Sequence, residues 1–474
     1  MSALSHEKAE TADASSSASS HAHDHLERRL LRKLDLRMSA VVLLYALNYI
    51  DRSNAASARL GGFEKDLHLQ GNQYATVLSI MYVGFIVMQV PANMFLHWLE
   101  RPSILIPCSM VIWGVLSALT GFYTGVLLAR FFLGFAEGPF FPGTMYLISG
   151  WYKRDELAVR TTLVSCGSVL SAGFGAAFAS GILSGMQGKL GQAAWRRETV
   201  VWLFYIEGGA TVLVALCAFF ILPDFPHNTG WLTPEERALA ISRLAEDGQG
   251  EADERTTMQG LWDALADWKV WWFSIALIVQ FVSMSFVSYF PTIVATLGYD
   301  ETTTLLLAAP PWVLAMITAF AFSRYSDKKR KRFVYVFASN AIAAVGFIVS
   351  ICTMNTAVRY VSLFLMTQIA GGQMVLMGWI TNTFAREPAK RAVAIALILA
   401  LSQIGGIIGA YVWPPNWGPT YRYSYAVCFV AFGVSMAMFG VMHLHLKRLN
   451  ERFERDERVR DVDGIRDVGF RYMI

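Results

Sequence analysis

Runs of about twenty apolar residues, broken by short polar stretches, repeat along almost the whole chain. A helix rising 1.5 Å per residue needs about that length to cross the hydrocarbon core of a bilayer. Measured this way, the apolar runs predict spanning helices over residues 38–60, 74–97, 103–122, 125–149, 162–185, 200–222, 270–297, 303–323, 333–354, 358–383, 391–412 and 423–446. The longest polar stretch between runs, Pro223 to Asp267, falls after the sixth and divides the set six plus six. The fold expected is an all-α membrane protein, with twelve transmembrane helices in two six-helix halves. Its parts are a disordered N-tail over 1–35, a first half over 36–222, a linker with a short helix over 223–268, a second half over 269–446 and a C-tail over 447–474.

Composition agrees with the pattern. Only 16% of the residues are charged, against about 25% in a typical soluble domain, so long stretches hold nothing for water to solvate. A net charge of +4 gives no footprint for nucleic acid. The five cysteines (Cys108, Cys166, Cys217, Cys352 and Cys428) lie singly inside apolar runs and read as small buried hydrophobes. No metal-ligand spacing and no nucleophile–base pair stands out, so no metal, cofactor or enzymatic activity is expected. The first 25 residues are polar, with a serine run and His21, His23 and His25, which excludes a signal peptide. The histidines leave loose metal binding open beside the plain reading of a disordered tail.

Charge in the loops orients the helices, because Lys and Arg accumulate on the cytoplasmic side. One set of loops holds Arg28, Arg29, Arg32, Lys33 and Arg37, then Lys153, Arg154 and Arg160, then Arg324 and Lys328 to Arg332, then Arg386, Lys390 and Arg391, then Lys447, Arg448 and Arg452. The opposite loops hold Lys65, Lys189, Arg196, Arg197, Arg359 and Arg422. Both termini are therefore expected in the cytoplasm, and the plasma membrane is the expected location. Basic loops after the second and fourth helix of each half echo one another, as in carriers built from two repeats around a central site. In the linker, Thr233 as N-cap, Pro234 at the first helical position and Glu235 and Glu236 in the first turn predict a helix start.

Charges inside the apolar runs are the candidate chemistry. Met38 to Ile50 is 13 residues, roughly 20 Å of helix and too short to cross. Either the helix ends at Asp51, leaving Asp51 and Arg52 interfacial, or it continues through Ser53, Asn54 and Ala55 and buries both within the membrane. In the fourth run Arg130 and Glu137 lie seven residues apart, on one face and about 10.5 Å from each other. They form either a structural ion pair or a carboxyl whose proton affinity is set between burial and nearby cations. Gly134, Gly138 and Gly143 on the same run admit a neighbouring backbone. Glu207, near the start of the sixth run, reads as an interfacial anchor. The second half offers uncharged polar groups at depth, among them Gln280, Gln368, Gln373 and Gln403. An anion between the halves would meet arginine on one wall and amides on the other.

Four stretches together resemble the major facilitator superfamily: Asn48 to Asn54, Gln89 to Asn93, Arg130 to Pro142 and Trp202 to Gly208. Within it, the chain is most similar to the anion:cation symporter branch and its fungal allantoate-permease-like members, over residues 36–450. The resemblance implies the major facilitator fold. It implies that Arg52 and Arg130 bind the anion, that Tyr49 contacts it, and that Gln403 stands where relatives often carry Asn. It also implies that Glu137 and Asp51 couple the proton. One departure bears on the start of the sixth helix: Arg197 to Val201 intervene between Trp195-Arg196 and Trp202-Leu203-Phe204, where relatives run almost directly on. The expected function is proton-coupled uptake of a small organic anion by alternating access. Export of an organic acid or secondary metabolite on the same scaffold and a non-transporting nutrient sensor are the alternatives. The expected partners are the anion, the proton and the bilayer, with no nucleic acid, and the carrier is expected to be a monomer.

Overall fold

The structure is a computed structural model that describes residues 2–99, 101–120, 125–186, 195–246, 257–329, 331–384 and 388–462. Lys189, Arg330 and Arg386 of the loop charges, and residues 463–474 of the expected C-tail, lie outside these. The membrane helices are α1 (Ser2–Leu60), α2 (Gln73–Leu99), α3 (Pro102–Leu119), α4 (Val126–Glu137, then Phe140–Ser149), α5 (Arg154–Met186) and α6 (Trp195–Ile221) in the first half. In the second half they are α7 (Trp268–Ser283, a 3-10 turn Met284–Tyr289 and Phe290–Ala295), α8 (Glu301–Lys329), α9 (Arg332–Cys352), α10 (Thr356–Met366, then Ile369–Thr383), α11 (Pro388–Ala410) and α12 (Arg422–Val462).

Among the described residues, nine stretches are long and apolar enough to cross a membrane. The remaining three membrane helices carry what sets them apart. In α1, Asn48, Asp51, Arg52 and Asn54 interrupt the apolar run. α4 is broken at Gly138 and Pro139, where proline has no N–H for the helical ladder. In α2 the apolar segment is the shorter Gln73–Gln89.

Within the first half α3 packs on α6, α2 on α4 and α1 on α5; in the second α7 packs on α11 and α12. The halves meet along α5–α8 and α2–α11. The α2–α4 contact is backbone on backbone. A methyl group on Gly84 would lie 2.0 Å from the carbonyl oxygen of Phe131, and one on Gly134 would lie 1.9 Å from that of Met81. Neither carbonyl can yield without moving its helix, and overpacking of this kind costs about 1–3 kcal/mol. Gly84→Ala or Gly134→Ala is expected to lower the melting temperature of the purified protein in a thermal-shift assay. Gly209→Ala, where a methyl group meets nothing within 4 Å, is expected to leave it unchanged.

One end of the bundle carries the linker helix Pro234–Glu246. Its start is a reciprocal cap: the Glu236 N–H donates to Thr233 Oγ1, and the Thr233 N–H donates to the Glu236 carboxylate, each at 3.2 Å. The N-terminal extension of α1 docks here. Leu30 and Leu34 are fully buried one turn apart, Lys33 Nζ donates to Glu236 at 2.6 Å, and Arg243 bridges Glu27 at 2.6 Å and Glu156 at 2.7 Å. Burial pushes the Glu236 carboxyl up, but the Lys33 bond, the Thr233 N–H and the Arg29 charge together hold it below the usual carboxylate range. Asp35 accepts from Tyr152 and Arg160, which ties in the loop before α5. Residues 25–35, expected as disordered tail, are therefore helical and packed. The cause is the apolar row Leu26, Leu30, Leu34, at helical spacing behind the charges. The cysteines also differ from expectation: Cys428 is buried, while Cys217 and Cys352 are exposed on the outside of the bundle, where an apolar thiol faces lipid at little cost.

At the opposite end the halves are joined. Arg59 of α1, ion-paired to Glu64 at 2.8 Å, lies over the rings of Tyr74 from the first half and Tyr289 from the second. Tyr74 and Tyr289 meet edge-on, Thr76 bonds Tyr411 at 3.1 Å, and Ser180 donates to the Thr302 carbonyl at 3.1 Å.

Candidate functional site

The α1 helix runs unbroken past Ile50 to Leu60, so Asp51 and Arg52 lie on a spanning helix rather than at its end. Asp51 is fully buried, and Arg52 keeps 17% of its side chain accessible. Consecutive residues point about 100° apart on a helix, so the two address different neighbours.

Asp51 turns into the first half. Its carboxylate accepts from Thr211 Oγ1 of α6 at 2.7 Å, Ser117 Oγ of α3 at 3.1 Å and Trp113 Nε1 of α3 at 3.2 Å. Three neutral donors thus take the place of water, and among the described residues no cation lies at ion-pair distance. Asn54, one turn on, donates to Ser117 Oγ at 3.1 Å and accepts from Arg130 at 2.8 Å. Thus Arg130 reaches α1 through a neutral amide. Its guanidinium is 1% exposed, lies 5.9 Å from the Phe204 ring centre, and has a buried Nε without a partner.

Arg52 turns the other way and pairs with Glu137. Its Nε and one Nη donate to a single carboxylate oxygen at 3.1 and 2.6 Å. The rings of Tyr49 and Phe85 flank the guanidinium, with centres 5.3 and 5.2 Å from it. The other Glu137 oxygen is buried and unpaired, as is the side-chain nitrogen of Asn48. Glu137 closes the first segment of α4 just before the Gly138–Pro139 break, and this break lets α4 change direction at the carboxyl. Arg130 and Glu137 share a face as expected, yet neither partners the other. Seven residues of rise, about 10.5 Å, exceed hydrogen-bond reach, while the flanking α1 brings Arg52 and Asn54 within it.

Tyr49, Asp51, Arg52, Arg130 and Glu137 therefore form one cluster in the first half. Gln403 stands apart on α11. A methyl group on Gly406, one turn along, would lie 3.1 Å from the Tyr82 ring of α2, so this face of α11 addresses the first half. The Gln403 carbonyl oxygen is buried and unpaired.

Glu207 is not interfacial. Because α6 begins at Trp195, Glu207 lies twelve residues, about 18 Å, along the helix. Arg197 to Val201 extend the helix and carry Glu207 toward its middle. It is 3% exposed and faces Asn54, Asp51 and Arg130. Asn54, Trp113, Ser117 and Thr211 are further members that the sequence reading passed over. Their signal is a neutral polar side chain at one-turn spacing from a buried acid: Asn54 from Asp51, Thr211 from Glu207.

A family model described as Major Facilitator Superfamily matches residues 41–410. An uncharacterized transporter of Schizosaccharomyces pombe is 31% identical over 407 residues, 83% of this chain and 78% of its own. The MFS-type transporter cnsO of Penicillium expansum is 30% identical over 438 residues, 88% of this chain and 81% of its own. Among solved structures, an inward-facing, occupied bacterial homolog of the human lysosomal transporter Spinster superposes with a TM-score of 0.65, at 17% identity, over 85% of this chain and 95% of its own.

Proposed function

The chain belongs to the Major Facilitator Superfamily, and from that premise we propose that it takes up a small organic anion by proton symport, as a carrier of the allantoate-permease-like, anion:cation symporter type. It is a membrane transporter of this superfamily. The observation that carries the anion reading is the Arg52–Glu137 pair: a partly accessible guanidinium, flanked by two aromatic rings, held by one oxygen of one carboxylate. An incoming carboxylate can take the same two-pronged grip on Arg52. Glu137 then loses its counter-ion in a low-dielectric site, and protonation removes that cost. Anion and proton therefore enter together. Tyr49 borders the anion, Arg130 adds positive field behind it, and Gln403 offers its amide from the opposite wall. Asp51, already satisfied by three donors, is the second coupling candidate. The carrier works as a monomer in the plasma membrane with both termini in the cytoplasm.

Purified protein in proteoliposomes, given labelled nicotinate, pantothenate and allantoate, tests the reading. At least one carboxylate is expected to accumulate above equilibrium when the acidic side is the side of addition, and a protonophore is expected to abolish the excess. Transport of neutral sugars or organic cations with no response from any carboxylate would overturn it.

A further inference from the structure

The buried layer around Arg130 holds more acid than base. Among the described residues, three carboxyls, Asp51, Glu137 and Glu207, share the middle of the first half with two guanidiniums, Arg52 and Arg130. With every group ionised the cluster carries a net charge of −1, which is costly at such depth. Two of the acids have the surroundings of an anion. Glu137 accepts two bonds from Arg52, and Asp51 accepts three from neutral donors. Glu207 has less than either: the Asn54 amide is its one side-chain hydrogen-bond partner, one of its oxygens is buried with no partner, and Arg130 bonds Asn54 rather than Glu207.

We propose that Glu207 is a third proton-binding carboxyl of this cluster, protonated in the unloaded carrier, so that Arg130 is not neutralised from that side. This rests on the transport reading above but names a group to which that reading gives no part. One proton brings the cluster to zero, two cations against two anions. The charged groups that face Glu207 are Asp51 from α1 and Arg130 from α4. The remaining neighbours are α3, which presents Trp113 and Ser117, the Phe63–Asp66 helix, which presents Phe63 with Glu64 bound to Arg59, and α5, whose Arg160 is bound to Asp35 at the linker end. Glu207 is buried beside one acid and one cation, and that cation is already bonded to Asn54, so among the described residues no ion pair compensates a charge on it.

Infrared spectroscopy of the purified, substrate-free protein in heavy and light water tests this. Only a protonated carboxyl gives the carboxylic C=O stretch, and at neutral pH the surface acids are ionised. The wild-type protein is expected to show the band. Glu207→Gln is expected to lose it, Asp51→Asn and Glu137→Gln, which each take one anion out of the same cluster, are expected to weaken it without shifting its frequency, and the frequency shift in Glu207→Asp assigns it. Glu207→Asp, the milder change should the glutamine variant fail to fold, is expected to shift its frequency. A wild-type spectrum without the band, or a band unmoved in both Glu207 variants, would overturn the proposal. Because no anion is present, a failed uptake panel with the band assigned to Glu207 would sink the cargo reading alone. Proton-driven carboxylate uptake with an unmoved band would sink this inference alone.

Discussion

Arg52→Ala is expected to reduce carboxylate uptake to the level of empty vesicles while the protein still reaches the membrane. The guanidinium is the accessible cation of the cluster and sits between two aromatic rings, so nothing else at the site can take its grip on a carboxylate. Its loss removes a charge-assisted bidentate contact and leaves Glu137 buried without its counter-ion, an effect of about 3–5 kcal/mol, or roughly two to four orders of magnitude in apparent affinity. Arg52→Lys separates the two causes. Lysine restores the charge beside Glu137 but not the fork, so folding and surface level are expected to recover while uptake stays poor. Wild-type affinity in Arg52→Ala would place the anion site elsewhere.

Glu137→Gln is expected to keep exchange and lose accumulation. The amide has the shape of the protonated acid and no charge, so the carrier can reorient with or without cargo and the gradient no longer drives it. Counterflow of labelled carboxylate is expected to persist, net uphill uptake to vanish, and the residual flux to lose its pH dependence. The pH direction follows from the chemistry: substrate displaces Arg52 from Glu137 only if a proton arrives, so wild-type uptake falls as pH rises. Asp51→Asn is the companion measurement. Uphill uptake by Glu137→Gln with the wild-type pH profile would assign Glu137 to structure and leave Asp51 as the coupling group.

Much of the fold was legible because a bilayer imposes one length on every span. The burial of Asp51 and Arg52 was legible as one of two alternatives, because thirteen apolar residues cannot cross unless the helix continues through them. What the sequence did not reveal was pairing. Arg130 and Glu137 share a helix face but bond across to α1, and a linear spacing holds no information about which neighbour lies alongside. Glu207 was misplaced for a related reason. The start of α6 was read from hydropathy at residue 200, whereas the polar residues from Trp195 onward are helical and move the acid more than a turn deeper. The docked segment 25–35 was missed because charge density masked its row of leucines. Its charges are matched by Glu236, Arg243, Tyr152 and Arg160, from parts of the chain more than a hundred residues away.

The Arg59 arrangement bears on speed. Its ion pair with Glu64 and its contact with Tyr74 stay within the first half, but the contact with Tyr289 and the Tyr74–Tyr289 ring pair must part whenever that end opens. One cation–ring contact and one ring pair amount to about 1–3 kcal/mol. Unless the open form makes equivalent contacts, the shut form dwells about five-fold to two-hundred-fold longer for their presence. On the proposed alternating-access cycle, Tyr289 then slows the opening of that end, and the number of cycles per second is set partly by two aromatic rings at the end of the bundle opposite the linker.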